Sequence, residues 1–134
     1  MSTDYRNKEG YADPTPYEAI YKEPRFEFHP VVYIASAYAG DIENNVTNAR
    51  RYARFAVDEG CIPMVPHLLL PQFMDEKTER AKALFFARIL MDRCLEVWVF
   101  GTPSESMKRE IKHAKKHRKL IRYFSESMEE VSVV

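Results

Sequence analysis

The 134-residue chain is poor in cysteine: Cys61 and Cys94 each sit inside an apolar segment, with no C-x-x-C spacing between them. That pattern fits reduced core thiols in the cytoplasm better than the disulfide framework of a small secreted domain. Long apolar runs are also missing. The richest stretch, CIPMVPHLLLP, is broken by proline and falls well short of the ~20 residues a membrane span needs, so no membrane partner is expected. The opening MSTDYRNKEG lacks the basic start and apolar run of an export signal. Net charge is absent as well, with 20 Lys+Arg against 20 Asp+Glu, and no internal repeat or low-complexity tract occurs. An apolar content of 46%, 13% of the chain being aromatic, excludes disorder over the whole length. One compact domain follows, able to bury roughly two-thirds of its unfolded surface without staples.

Three regions are distinguishable. Residues 1–30 carry Pro14, Pro16, Pro24 and Pro30 among Tyr5, Tyr11, Tyr17, Tyr21, Phe26 and Phe28. They form an N-terminal arm whose aromatic side chains call for packing on its own domain or on another subunit. Residues 31–124 alternate strand and helix signals. VVYIASA (31–37), CIPMV (61–65), LEVWVFG (95–101) and KLIRYF (119–124) read as strands, and the uncharged first run suits a strand covered on both faces. Residues 41–59, 76–93 and 104–117 read as helices, the first capped by Asp41 and stopped by Gly60, and 66–75 reads as a loop. Residues 125–134 form an acidic tail, in which VSVV could add an edge strand.

Such alternation specifies an α/β fold of the flavodoxin-like or Rossmann-like kind. Its parallel sheet has four to five strands joined by right-handed crossovers, with helices on both faces. Ligands bind such sheets beyond the carboxyl ends of the strands, where the strand order reverses. If the order is second, first, third, fourth, the crevice brings Ser36, Ala37 and Tyr38 opposite Gly101, Thr102 and Ser104, with His67 at its border.

The turn GTPSESMKRE (101–110) leads into a helix. The free N–H groups and the hydroxyls of Ser104 and Ser106 would suit a phosphate or other anion, while Ser104 is equally an ordinary N-cap residue. Glu110, taken by itself, is more simply a solvated helix charge at the boundary of the apolar face than a nucleophile. His113 and His117 have the four-residue spacing of helical metal ligands, but the sequence supplies no acidic partner beside them, so no metal is expected. Residues 108–122 hold eight Lys+Arg and one acid. A nucleic-acid interface there would weaken steeply with salt; pairing with acids of the arm, the tail or another subunit is the simpler reading, because the overall charge cancels.

The segments VYIASAY, GCIPMVPH, LEVWVFG and SESMKREIKHA together resemble the nucleoside 2-deoxyribosyltransferase-like superfamily over residues 31–124, and more narrowly a bacterial and phage-associated branch of it. The superfamily's motif after the third strand is Ser, any residue, Gly, three residues, Glu, which stands here as Ser104, Ser106 and Glu110. The resemblance implies that Glu110 attacks the anomeric carbon of a nucleoside sugar, with Tyr33 beside it. Ser104 and Ser106 would hold a 5′-phosphate, and Ser36, Tyr38, His67 and Gly101 would complete the substrate site. The activity implied is N-glycosidic cleavage or deoxyribosyl transfer, without a cofactor, on a nucleoside or nucleotide, in a homo-oligomer whose pockets are completed by a neighbouring chain. The assisting acid of the superfamily has no direct match, its nearest candidates being Asp75 and Asp92, and Ser106 stands where relatives have glycine. The alternative is a non-catalytic nucleotide-binding or interaction module on the same fold.

Overall fold

The computed structural model describes residues 28–132; the arm before residue 28 lies outside that range. The elements follow the order β1 (Val31–Ala35), α1 (Ile42–Asp58), β2 (Ile62–Met64), α2 (Pro66–Leu69), a 3-10 turn (Leu70–Gln72), α3 (Arg80–Asp92), β3 (Glu96–Phe100), α4 (Glu105–Lys116), β4 (Leu120–Phe124) and β5 (Glu130–Val131). The strands pair in the order β2-β1-β3-β4-β5, the first four parallel and β5 antiparallel. The order reverses at β1 and β3, the topology of a flavodoxin-like sheet with an added edge strand.

Strand alternation splits the core into two layers. Val32, Ile34, Trp98 and Phe100 face α1, where they pack with Ala49, Tyr52 and Ala56. Tyr33, Ala35, Val97 and Val99 face the other way and meet Met91 of α3 with Met107, Ile111 and Ala114 of α4. Aromatic rings fill the first layer: Tyr52 stacks on Phe100 at 4.2 Å, and Phe100 on Phe124 at 4.9 Å. Because β1 and β3 are buried on both sides, they read as continuous apolar runs rather than alternating ones.

Several expectations change in detail. The loop 66–75 is partly helical, since Pro66 sits at the first position of α2, where its missing N–H is harmless. Helix α3 starts at Arg80 rather than 76: the Asp75 carboxylate accepts from the N–H groups of Lys77 and Thr78 and holds a separate turn ahead of it. The tail folds back through a turn with Met128 at φ 66° and pairs as β5. Its Glu130 takes a two-pronged bond from Arg122, at 2.9 and 2.8 Å, while the Arg122 guanidinium lies 4.8 Å over Trp98. Part of the basic segment is thereby matched by an acid of the tail. Among the described residues no helix is long and apolar enough to cross a membrane, and Cys61 and Cys94 are free thiols.

The contrast between Trp98, fully buried at the sheet centre, and Leu95, 57% exposed at the strand entrance, gives a test of this layering. Trp98→Ala is expected to lower unfolding free energy by about 3–5 kcal/mol and Leu95→Ala by no more than about 0.5 kcal/mol. Urea midpoints of the two variants check it, and equal losses would contradict the placement of the core.

Candidate functional site

The carboxyl ends of β1 and β3 open into a cleft, about 860 Å³ when the solvent at its mouth is counted. Its floor is Tyr33 of β1 and Ser36 just after that strand, its near rim Tyr38 and His67, and one wall is the first two turns of α4 with Ser104, Ser106 and Glu110. The opposite wall is α3, through Arg80, Leu84 and Arg88 with Ala83 and Ala87 between them, and Glu76 stands before that helix.

Glu110 is only 3% exposed, so the solvated reading of this residue is overturned. Its helical position explains why: Met107, Glu110, Ile111 and Ala114 recur at the spacing of one face, and all four are buried. The Tyr33 hydroxyl donates to Glu110 Oε2 at 2.5 Å. That contact depends on strand parity, because Tyr33 faces α4 while its neighbours Val32 and Ile34 face α1. Burial pushes the Glu110 carboxyl up to about 7, against the bond from Tyr33 and the positive charge of Arg88, both of which favour the ionised form. The Tyr33 phenol is held well above its usual range, first by burial and then by the Glu110 carboxylate.

Buried polar atoms without partners are rare in folded proteins and call for an explanation. Among the described residues three side-chain atoms are in this state, Ser36 Oγ, His67 Nδ1 and Glu110 Oε1, and all three residues line the same cleft. Burial also holds the His67 imidazole below its usual range, which favours the neutral ring. The Tyr38 ring lies 4.9 Å from that of His67, and burial together with the Glu76 carboxylate pushes its phenol up to about 12.

Of the residues singled out from sequence, Tyr33, Ser36, Tyr38, His67, Ser104, Ser106 and Glu110 share this cleft, and Ala37 joins them. Gly101 and Thr102 do not line it. Gly101 adopts φ +79° beneath the tail, where an added Cβ would come within 3.2 Å of Glu126 Cγ, so it serves the turn. Ser104 acts as the N-cap of α4, accepting from the Met107 N–H at 3.2 Å, and the same residue borders the cleft. Neither candidate for an assisting acid reaches the cleft: Asp75 caps its own turn, and Asp92 contacts His113. The carboxylate that does line it is Glu76. Sequence reading missed the α3 wall, although Arg80, Ala83, Leu84, Ala87 and Arg88 recur at one-face helical spacing.

The family model described as Domain of unknown function (DUF7768) matches residues 30–124. Among solved structures, the 2-desoxiribosyltransferase from Leishmania mexicana is similar with a TM-score of 0.51 and 16% identity, covering 72% of this chain and 64% of its own. The chain thus spans less than two thirds of that protein's length, and at this identity the likeness shows the fold. No curated protein matches the chain.

A buried carboxyl titrating near 7 destabilises the fold once ionised. The folded state holds the proton between the unfolded value, near 4.3, and about 7, so stability is fully present below the lower value and declines as pH rises through the higher one. Glu110→Gln removes this loss. It is expected to match the wild type at pH 4 and to exceed it by roughly 3 kcal/mol at pH 8–9. Urea unfolding at both pH values measures the difference, and parallel behaviour of the two proteins would sink the assignment.

Proposed function

The chain belongs to the DUF7768 family, and we propose that it cleaves or transfers the N-glycosidic bond of a nucleoside or nucleotide, with Glu110 as nucleophile. The observation that carries this reading is the unpartnered Glu110 Oε1, buried at a cleft wall while its companion oxygen is held by Tyr33. One oxygen is anchored and the other is free to react. The likeness in fold to a 2-desoxiribosyltransferase supports the same reaction class.

In the proposed sequence, Oε1 attacks the anomeric carbon, the carbon–nitrogen bond breaks, and its electron pair leaves with the base, which takes a proton. A glycosyl ester on Glu110 results. Water or a second base then displaces the carboxylate at the same carbon and restores the enzyme, the logic of retaining glycoside cleavage. Tyr33 orients the carboxylate and favours its ionised form. Glu76, with Tyr38 and His67 beside it, is the carboxyl group that borders the cleft on the side facing Glu110 and could hydrogen-bond the leaving base. Ser104 and Ser106, at an α-helix N-terminus, would receive a 5′-phosphate.

Self-association belongs to the same proposal. Phe85 is 64% exposed and Phe86 and Ile89 each 40% on α3, an apolar face next to the cleft wall that a second copy would cover.

A non-catalytic nucleotide-binding module is the competing reading. The observation in its favour is Ser106, whose side chain occupies the position where glycine lets backbone approach a ligand.

Release of free base from a panel of 2′-deoxynucleosides and their 5′-monophosphates, followed by chromatography, tests the enzymatic reading. Turnover is expected, reduced by at least about 10³-fold in Glu110→Gln; binding without turnover would select the module instead. Activity should climb with pH as Glu110 ionises about 7. Tyr33→Phe removes a bond that lowers this value, so the ascending limb should move to higher pH with partial recovery above pH 8. A limb unmoved by the substitution would remove Tyr33 from the mechanism.

A further inference from the structure

A second cluster of reactive side chains lies away from the cleft. Asp92 is the last residue of α3, and His113 and His117 stand one turn apart at the end of α4. His113 Nε2 is 2.9 Å from Asp92 Oδ1, and His117 Nδ1 is 3.9 Å from the same oxygen. The two imidazole rings are 4.2 Å apart between centroids. One ligand atom from each residue lies within 4.8 Å of the others. The carboxylate that sequence alone did not supply beside the histidine pair is thus brought there by the packing of α3 on α4.

We propose that Asp92, His113 and His117 bind one divalent transition-metal ion of the zinc class. Two imidazoles and one carboxylate are a donor set that such ions accept, at about 2.0–2.2 Å per bond in tetrahedral geometry. Bonds of that length set ligand atoms about 3.3 Å apart, between the 2.9 and 3.9 Å separations of the histidine nitrogens from Asp92. Side-chain rotations would bring the three ligand atoms, which lie within 4.8 Å of one another, to that spacing. The side chains are 20%, 43% and 41% exposed for His113, His117 and Asp92, which leaves the fourth vertex to water.

Charge sets the strength of the site. The nearby Lys119 ammonium donates to the backbone carbonyls of Asp92 and Cys94, at 2.9 and 2.7 Å, so it is engaged by the main chain rather than by the carboxylate. The remaining lysines of α4 repel a cation only through water, where salt screens them. Moderate rather than tight affinity is the consequence. Calcium and magnesium, which require mostly oxygen ligands, are excluded by the two imidazoles.

Binding here would clamp two elements that form the cleft. Asp92 ends the helix that carries Arg80 and Arg88, and His113 follows Glu110 by three residues on α4. The site touches none of the reacting atoms, so its existence does not depend on the proposed enzymatic activity.

The test uses the full chain without a polyhistidine tag, stripped of metal with chelator and titrated with Zn²⁺ by calorimetry and with Co²⁺ by visible absorption. One ion per chain is expected, with intense tetrahedral cobalt bands and a melting temperature that rises with zinc concentration; Mg²⁺ should produce neither. His113→Ala, His117→Ala and Asp92→Asn should each weaken binding by at least about tenfold, since loss of even an outer-shell partner reaches that size. The double histidine variant should lose the cobalt bands while keeping its circular dichroism spectrum. No binding by the wild type, or binding retained in the folded double variant, overturns the proposal, the second outcome shifting the ion to the cysteines or His67.

Discussion

The functional geometry of this protein depends on one buried contact, the Tyr33 hydroxyl bonded to Glu110. Burying a carboxyl beside an apolar sheet is unfavourable for its charged form, and the proton is retained to near neutrality as a result. The phenol satisfies one oxygen and leaves the other without a partner. A helix whose inner face held only Met107, Ile111 and Ala114 would pack more simply. The fold instead tolerates an acid among them at the place where the cleft begins.

The position of the cleft follows from topology. With β1 and β3 adjacent and their crossovers running to opposite faces, the segments after the two strands diverge and leave a gap at their carboxyl ends. Ser36 and Tyr38 leave β1 on one side of that gap, and the capped start of α4 enters on the other. Three buried polar atoms without a protein partner surround one hollow, and since burial without any partner costs about 1–3 kcal/mol for each such group, water or a bound polar group would satisfy them there.

Helices α3 and α4 act at both of their ends. Toward the strand termini they form the walls of the cleft, and at their far ends Asp92 meets His113 and His117. Rigid α-helical segments connect the two places, so an ion at the far end would restrain the relative placement of Arg88 and Glu110 without contacting a substrate.

Hydrophobic periodicity and turn residues were enough to determine the number, type and sequence of the principal elements, since the uncharged run at 31–37 and the run at 95–101, charged only at Glu96, suit strands buried on both faces. The motif Ser104, Ser106, Glu110 was likewise legible, together with the β1 and His67 rim. Whether Glu110 lay in solvent or in the core was not decided by its own surroundings in sequence, because a charged residue on a helix is ordinarily exposed. Its burial came from the packing of α4 against the odd-numbered face of β1. Tertiary structure alone brought in the α3 wall, exchanged Asp75 for Glu76 at the cleft, removed Gly101 from it, and joined Asp92 to two histidines 21 and 25 positions away. The physical reason is common to all of these: local periodicity reports which side of an element is apolar, whereas a site is made where separate elements converge, and that convergence is set by long-range packing.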